Sequence, residues 1–196
     1  MRVRFWGSRG SSPVSGPAYV EFGGNTPCLE VTVASSQDII VLDAGTGIRD
    51  LGAHLLKRGE FPRLHLFLTH AHWDHIQGFP FFAPAYLPKF EIDIYCTKEP
   101  RAFLDGQMRP PYFPVGLELM RARMRFHQLS STSETTIGRA RVRHIPLPHP
   151  QESTAFRIDE DSKSFVLATD TEHDPAHINE RLVQFAETVK GAGTKR

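Results

Sequence analysis

The sequence has little of what marks secreted, membrane-bound or nucleic-acid-binding proteins. It contains two cysteines, Cys28 and Cys96, without the CxxC spacing of zinc or redox sites, so we expect both to stay reduced and buried. No apolar run approaches the ~20 residues that a membrane helix needs, and the opening MRVRFWG lacks the apolar core of a signal peptide. The formal charge of +1 provides no global attraction for nucleic acid or anionic lipid. We therefore predict a cytoplasmic protein without a membrane partner.

The 196 residues, of which 40% are hydrophobic, are enough for a substantial core, and we predict a single domain over residues 1–196. Alternation and β-branched runs predict strands, and apolar residues at helical spacing predict helices. The predicted strands are 2–7, 27–34, 38–45, 63–70, 90–97, 123–129, 140–147, 154–158 and 164–170, and the predicted helices are 45–59, 99–108 and 176–190. This mixture indicates an α/β domain built mostly of two layers of sheet.

The stretch FLTHAHWDHIQGFPFF, residues 67–82, crowds three histidines and an aspartate behind an apolar run. In an extended segment His70 and His72 point the same way and can bind one cation; after a turn, Asp74 and His75 can face a second. The alternative is a solvated loop. Because the cluster lies between two stretches that are typical of buried chain, the HxHxDH spacing favours a two-metal site.

Four ligands do not complete two coordination shells, and two later residues stand in suitable positions. His149 lies in a proline-flanked loop after a predicted strand, and Asp170 lies at the end of another. Either residue can also have a structural role, His149 filling a turn and Asp170 capping a helix. Their order after the histidine cluster favours the interpretation as ligands.

These segments carry a family resemblance. The sequence resembles the metallo-β-lactamase superfamily, and within it the ribonuclease Z-like and phosphodiesterase-like hydrolases, through FWGSRGSSPV, GGNTPCLEV, LDAGTG and THAHWDHIQG. The resemblance covers about residues 1–185. It implies an αββα sandwich, two packed sheets with helices outside and the metals at one edge.

The resemblance also implies a role for each candidate residue. The first metal takes His70, His72 and His149, the second takes Asp74 and His75, and Asp170 bridges both. Asp43 is implied to be a buried acid that braces the histidine loop, which fits the need of metal-bound histidines for an orienting partner. Two further candidates are catalytic: Asp74, beside its ligand role, for orienting or deprotonating the nucleophile, and His173 for protonating a leaving group.

The expected cofactors are two divalent ions, zinc by default, with manganese or iron equally compatible with His/Asp ligation. The two ions would share a water that becomes a hydroxide nucleophile near neutral pH. The implied substrate is a phosphodiester-type small molecule or a nucleotide, while RNA has no support from the net charge. Two rows of alternating arginines are candidates for phosphate contacts or, alternatively, for a solvated sheet face. They are Arg121, Arg123 and Arg125, and Arg139, Arg141 and Arg143.

The resemblance further implies a late histidine and another apolar strand after the region around Phe185. The tail that follows, ETVKGAGTKR, has neither, so we expect a C-terminally incomplete sandwich with an under-coordinated second metal site. An exposed sheet edge would then favour a homodimer. Two hypotheses stay open: a di-metal phosphodiesterase, and a metal-binding but catalytically silent domain or binding module.

Overall fold

Two β-sheets and the helices that cover them make up most of the chain in the computed structural model, which describes residues 1–172 and 180–187. The strands are β1 (Arg2–Gly7), β2 (Cys28–Thr32), β3 (Ile39–Leu42), β4 (Leu64–Phe67), β5 (Glu91–Cys96), β6 (Arg123–Gln128), β7 (Thr135–Ile137), β8 (Ala140–Leu147), β9 (Ser153–Glu160) and β10 (Lys163–Leu167). The α-helices are α1 (Gly47–Arg58), α2 (Trp73–Ile76), α3 (Pro100–Gln107) and α4 (Glu180–Glu187). Short 3-10 turns cover Pro17–Tyr19, Phe79–Phe81, Ala83–Tyr86 and Leu117–Leu119.

The first sheet has the strand order β1-β2-β3-β4-β5-β6. Strand β2 runs antiparallel to both of its neighbours, β1 and β3, whereas β3, β4, β5 and β6 run parallel to one another. Parallel neighbours need a crossover, and α1 and α3 lie in two of these connections. The parallel arrangement brings the carboxyl ends of β3 and β4 to the same edge of the sheet.

The second sheet is antiparallel, with the order β10-β9-β8-β7. Since β8 and β10 both run antiparallel to β9, they run in the same direction as each other. Their carboxyl ends, at Leu147 and Leu167, therefore also meet at one edge. The loops that follow these two strands carry His149 and Asp170.

Two hydrophobic cores fix the order of the layers. One lies between the first sheet and its helices, where Leu66 of β4 packs with Leu51 of α1 and Leu104 of α3. The other lies between the sheets, where Phe67 of β4 packs with Phe156 of β9. Successive residues of a strand point to opposite faces, so neighbouring residues Leu66 and Phe67 enter different cores.

Helix α4 covers the outer face of the second sheet through a buried arginine. Arg157 of β9 is fully buried, and its Nη1 donates to the carbonyl oxygens of Phe185 and Ala186 at 2.5 and 2.6 Å. The same guanidinium is held by Asp159, with Nε 2.8 Å from Oδ1. A cation at the last turn satisfies carbonyls that a helix leaves without partners. The predicted αββα layering is thereby confirmed.

The predicted elements agree closely with the observed ones. Every predicted strand is present, and α1 and α3 lie within their predicted ranges. Helix α4 covers Glu180–Glu187, while the rest of the predicted helix lies outside the described residues. Strand β7 and helix α2 were not predicted. Cys28 and Cys96 are free, buried thiols, and among the described residues no helix is long and apolar enough to cross a membrane.

Candidate metal centre

Four loops converge at one edge of the sandwich, each leaving the carboxyl end of a strand. Asp43 follows β3, the histidine segment 70–75 follows β4, His149 follows β8 and Asp170 follows β10. The two pairs of co-directional strands described above bring these ends together from both sheets. Ligand sites in α/β sheets are commonly found beyond the carboxyl ends of the strands, as they are here.

The first group of candidate ligands consists of His70, His72, His149 and Asp170. One nitrogen or oxygen atom from each lies within 4.8 Å of the others. Nδ1 of His72 is 3.2 Å from Nε2 of His149, and Nε2 of His70 is 3.4 Å from Oδ2 of Asp170. Nε2 of His70 is buried and makes no hydrogen bond to any residue that the structure describes. A buried imidazole nitrogen without a partner is costly, and a cation among these four atoms would satisfy it.

The second group consists of Asp74, His75 and Asp170, again with one atom from each within 4.8 Å of the others. Nε2 of His75 lies 3.1 Å from Oδ2 of Asp170 and 3.6 Å from Oδ2 of Asp74. Oδ2 of Asp170 is therefore close to ligand atoms of both groups. This is the position that a bridging carboxylate occupies in a two-metal site.

Each histidine of the segment 70–75 has a partner on the ring nitrogen that faces away from the ligand group. Nδ1 of His70 is 3.0 Å from the hydroxyl of Thr69, and Nδ1 of His75 is 2.8 Å from Oδ2 of Asp43. Nε2 of His72 is 3.2 Å from Oε1 of Gln151. Such partners fix the tautomer and orientation of metal-bound histidines. The inward atoms are then Nε2 of His70, Nδ1 of His72 and Nε2 of His75.

The fully buried carboxylate of Asp43 holds the start of this segment. It accepts hydrogen bonds from the backbone N–H of Thr69 at 2.8 Å and from the Thr69 hydroxyl at 3.0 Å. Its backbone has φ of 63°, in the left-handed region that aspartate tolerates better than most residues. Asp43 thus connects the end of β3 to both His75 and Thr69, as its predicted bracing role requires.

A comparison with sequence profiles of known families identifies the superfamily of this chain. The profile described as the Beta-lactamase superfamily domain matches residues 39–195, which is most of the sequence. The chain belongs to the metallo-β-lactamase superfamily. A search of curated proteins found no match.

Solved structures of the superfamily share the fold at low sequence identity. The metallo-β-lactamase fold protein YhfI from Bacillus subtilis is 15% identical with a TM-score of 0.62, over 89% of this chain and 64% of that one. Human tRNase Z, short form, is 18% identical with a TM-score of 0.57, over 88% and 71%. A Cronobacter sakazakii metallo-β-lactamase is 14% identical with a TM-score of 0.51, over 86% and 62%. This chain therefore spans less than two thirds of the Bacillus and Cronobacter proteins.

The electrostatic environment differs between the two buried histidines of the candidate site, His70 and His75. Burial, together with the nearby His75, lowers the pKa of His70 to about 4, so its imidazole is neutral at pH 7. Burial also acts to lower the pKa of His75, but the carboxylates of Asp43, Asp74 and Asp170 outweigh it and raise that pKa to about 9. Metal-free His75 is therefore protonated at pH 7, and a metal that binds Nε2 displaces a proton.

The donor set of this superfamily member fits divalent metal ions. Imidazole nitrogens and carboxylate oxygens without thiolate suit zinc, manganese and iron. The buried, unpartnered Nε2 of His70 and the two facing nitrogens of His72 and His149 are each accounted for by a cation at their centre. That they bind metal stays a prediction.

Close approach of two loops also shapes the candidate metal centre. A Cβ on Gly45, which follows β3, would lie 2.3 Å from the carbonyl oxygen of Asp74. A Cβ on Gly78 would lie 2.0 Å from the carbonyl oxygen of Gly45. Any larger residue at either position would push the histidine segment away from Asp43. The two glycines therefore let the loop after β3 pack directly against α2.

Three residues of the centre were not among those predicted from the sequence. Thr69 and Gln151 contact candidate ligand histidines, and the backbone N–H of Ser11 donates to Oδ2 of Asp74 at 2.8 Å. Thr69 had a usable signal, since it directly precedes His70. Ser11 and Gln151 lie far from the histidine segment in sequence and have positive φ of 68° and 69°. His173, the predicted proton donor, lies outside the described residues.

Four of the six arginines in the two predicted rows form ion pairs. Arg123 and Arg125 pair with Glu91 at 2.8 Å, and Arg125 also reaches Asp93 at 3.0 Å. In the second row, Arg143 pairs with Asp159 at 2.7 Å and Arg139 pairs with Asp161 at 3.0 Å. These contacts favour a charged, ion-paired sheet face over a phosphate-binding row.

Proposed function

We propose that this domain is a metal-dependent hydrolase that cleaves phosphodiesters at a binuclear site. The observation that carries the proposal is the presence of two ligand groups that share one carboxylate oxygen, Oδ2 of Asp170. A pair of divalent ions held there would supply a water of lowered pKa and would neutralise charge on the phosphate oxygens. Zinc is the ion to test first, followed by manganese and iron.

The side chains have separate tasks in this proposal. His70, His72 and His149 would hold the first ion, Asp74 and His75 would hold the second, and Asp170 could serve both. Thr69, Gln151 and Asp43 keep the imidazoles in the orientation that directs the ligating nitrogens inward. Asp74 acts mainly as a ligand, because a carboxylate bound to a metal and to the Ser11 N–H has little basicity left for proton transfer.

The substrate class rests on weaker support than the hydrolase assignment. The similar structures carry names that refer to different activities, so the shared fold does not select a substrate. The phosphodiester assignment is supported by the resemblance of FWGSRGSSPV and THAHWDHIQG to ribonuclease Z-like and phosphodiesterase-like hydrolases. Because most arginines of the two predicted rows pair with carboxylates, the metals would provide the charge that a phosphate needs.

A second function, metal binding without catalysis, is favoured by the composition of the second group. Among the described residues this group has three ligands, and one of them, Asp74, already accepts a hydrogen bond from Ser11. Weak binding of the second ion would leave a mononuclear domain. The number of ions bound therefore separates the two functions.

The deciding experiment measures metal content and hydrolysis on the same preparation. We expect about two ions per chain after loading with zinc or manganese, and turnover of bis-p-nitrophenyl phosphate that His72→Ala abolishes. His127→Ala is the matched control, since His127 lies on β6 and pairs with Asp93 instead of a metal ligand. One tight ion with no turnover by folded protein would support the silent domain, and turnover unchanged by His72→Ala would contradict the proposed site.

A further inference from the structure

A cavity of about 310 Å³ lies beside the metal centre, between the histidine segment and α3. Its lining residues are Ala71, Trp73, Ile76, Phe103, Gly106, Gln107 and Tyr112. Ala71 and Trp73 alternate along the chain with His70, His72 and Asp74. The same short segment therefore contributes side chains both to the cavity and to the two candidate ligand groups.

The chemistry of the lining selects a flat, uncharged group. None of the lining side chains carries a charge, and two of them present large aromatic surfaces to solvent: Trp73 is 69% exposed and Tyr112 is 84% exposed. By contrast, Phe79 and Phe82, a few residues beyond Trp73, are almost completely buried. Exposed aromatic faces in a concave site bind planar rings by stacking. The volume is at the lower end of the range for small-molecule sites, which suits one ring system.

Gln107 adds a polar contact to this apolar site. Its Nε2 donates to the carbonyl oxygen of Ile76 at 3.3 Å, which fixes the amide against α2. Oε1 of the same amide is an acceptor for an N–H on the edge of a bound ring. A nucleobase has such N–H groups on its edge, whereas a plain hydrocarbon ring does not.

We propose that this cavity binds an aromatic ring carried by the phosphoester substrate, with a nucleobase as the ring that fits it best. The inference rests on the proposed function, because it takes the metal centre as the place of the phosphate. Trp73 and Tyr112 supply the stacking surface and Gln107 supplies the edge contact. These residues therefore determine substrate specificity and are not metal ligands.

The test compares three ligands on zinc-loaded protein by isothermal titration calorimetry: AMP, ribose 5-phosphate and phenyl phosphate. We expect AMP to bind at least about 10-fold more tightly than ribose 5-phosphate, since stacking on aromatic side chains typically contributes that much per base. Phenyl phosphate as tight as AMP would support the ring site and assign it to simple aryl esters. Equal affinity for AMP and ribose 5-phosphate would overturn the proposal.

Gly106→Leu blocks the cavity without disturbing the fold. A Cβ at Gly106 has open space around it, and leucine is a better helix former than glycine within α3. The variant should lose the preference for AMP, whereas Ala102→Leu, at an exposed position of the same helix, should keep it. Trp73→Ala should reduce the preference as well. Retention of the preference in Gly106→Leu would contradict the proposal.

Two controls distinguish the ring site from the proposed hydrolase function and from an interface between two copies of the chain. Hydrolysis of bis-p-nitrophenyl phosphate reports on the proposed function alone, so an inactive protein that still prefers AMP would support the ring site and refute the hydrolase. Sedimentation velocity reports on self-association. If Gly106→Leu dissociates a dimer and leaves the ligand affinities unchanged, the cavity is an interface between two copies and the ring site is wrong.

Discussion

The candidate metal centre and the Asp93 network, which consists of Asp93, Arg63, Arg125 and His127, both bring histidine and aspartate side chains together. In the Asp93 network, the buried carboxylate accepts from Nε of Arg63 at 2.6 Å, Nε of Arg125 at 3.0 Å and Nε2 of His127 at 2.8 Å. Both of its oxygens have donors. In the candidate metal centre, by contrast, ring nitrogens face each other, and Nε2 of His70 has no hydrogen-bond partner within residues 1–172 and 180–187.

The two clusters differ in which groups balance the negative charge of their carboxylates. Asp93 is surrounded by cationic side chains, so its network is complete without a ligand. The metal centre brings together three carboxylates, Asp43, Asp74 and Asp170, with histidines as the only cationic partners among the contacts of the described site. Position differs as well, since Asp93 lies within β5 whereas the metal centre lies beyond the ends of strands. A cluster of histidine and aspartate therefore indicates a metal site only where other cationic side chains do not already balance the carboxylates.

Asp170→Asn should have the largest effect on the metal centre. Its Oδ2 lies near ligand atoms of both groups, so the loss of its charge weakens both sites at once. We expect zinc affinity to fall by more than about 100-fold, because removal of even an orienting partner costs 10–100-fold. Elemental analysis after gel filtration would measure the ions retained. Asp161→Asn, at an exposed position that pairs with Arg139, is the matched control and should retain the wild-type metal content.

Asp43→Asn should have the next largest effect, and it should act mainly on the second ion. The variant removes the negative charge that faces Nδ1 of His75 at 2.8 Å, while an amide oxygen remains for Thr69. We expect the affinity for the second ion to fall about 10–100-fold. Competition with a coloured chelator gives the two affinities separately. Equal weakening of both ions would show that Asp43 positions the whole histidine segment instead of His75 alone.

The sequence indicated the candidate ligand histidines because their spacing along the chain is local; that they bind metal stays a prediction. His70, His72, Asp74 and His75 lie in one short segment, where alternation and a single turn decide which side chains share a face. Asp43, His149 and Asp170 were reached through the order of the elements and through the family resemblance. Ser11 and Gln151 were not predicted. Their contacts depend on loop backbones with positive φ at non-glycine residues, and local propensities do not favour that conformation.

For the fold as well, features that depend on local sequence were predicted, whereas features that depend on contacts between distant segments were not. Strands such as β3 and β5 were predicted because β-branched and apolar runs signal a strand by themselves. The assignment of strands to two sheets was not predictable from those runs, because pairing depends on contacts between distant segments. Strand β7 and helix α2 have three and four residues, which is too short for a periodic pattern to develop. The layer order came from the family resemblance.

Gln151→Leu tests whether the contact of Gln151 with His72 orients that histidine for metal binding. It removes the acceptor that lies 3.2 Å from Nε2 of His72, in a side chain that the sequence did not mark. We expect about 10-fold weaker binding of the first ion and little change at the second. The absorption spectrum of cobalt-loaded protein provides a second measurement that reports on ligand geometry.

Two variants control this prediction. Gln151→Glu restores an acceptor for Nε2 of His72 and should recover most of the affinity, whereas Glu152→Gln changes only the neighbouring side chain. The interpretation would be wrong if Gln151→Leu and Glu152→Gln had the same affinity for the first ion.

Asp93→Asn should leave the metal centre unchanged and act on stability alone. Burial raises the pKa of Asp93, but hydrogen bonds from Arg63, His127 and Arg125 outweigh it and hold the pKa well below its usual range. We expect a loss of about 2 kcal/mol in the free energy of unfolding at pH 7, less than for a fully buried pair because the arginines are partly exposed. Urea unfolding would measure it, with metal content as the control.

The pH dependence of that loss tests its electrostatic origin. A carboxylate whose folded pKa is depressed stabilises the protein above its unfolded pKa, near 3.8, and this contribution disappears as the pH falls through the lower folded value. The difference between wild type and Asp93→Asn should therefore be constant from pH 7 to about 5 and shrink below that. A difference that persists unchanged in acid would mean that Asp93 stabilises the sheet through hydrogen-bond geometry instead of charge. Because the network has its own cations, none of this should depend on added zinc.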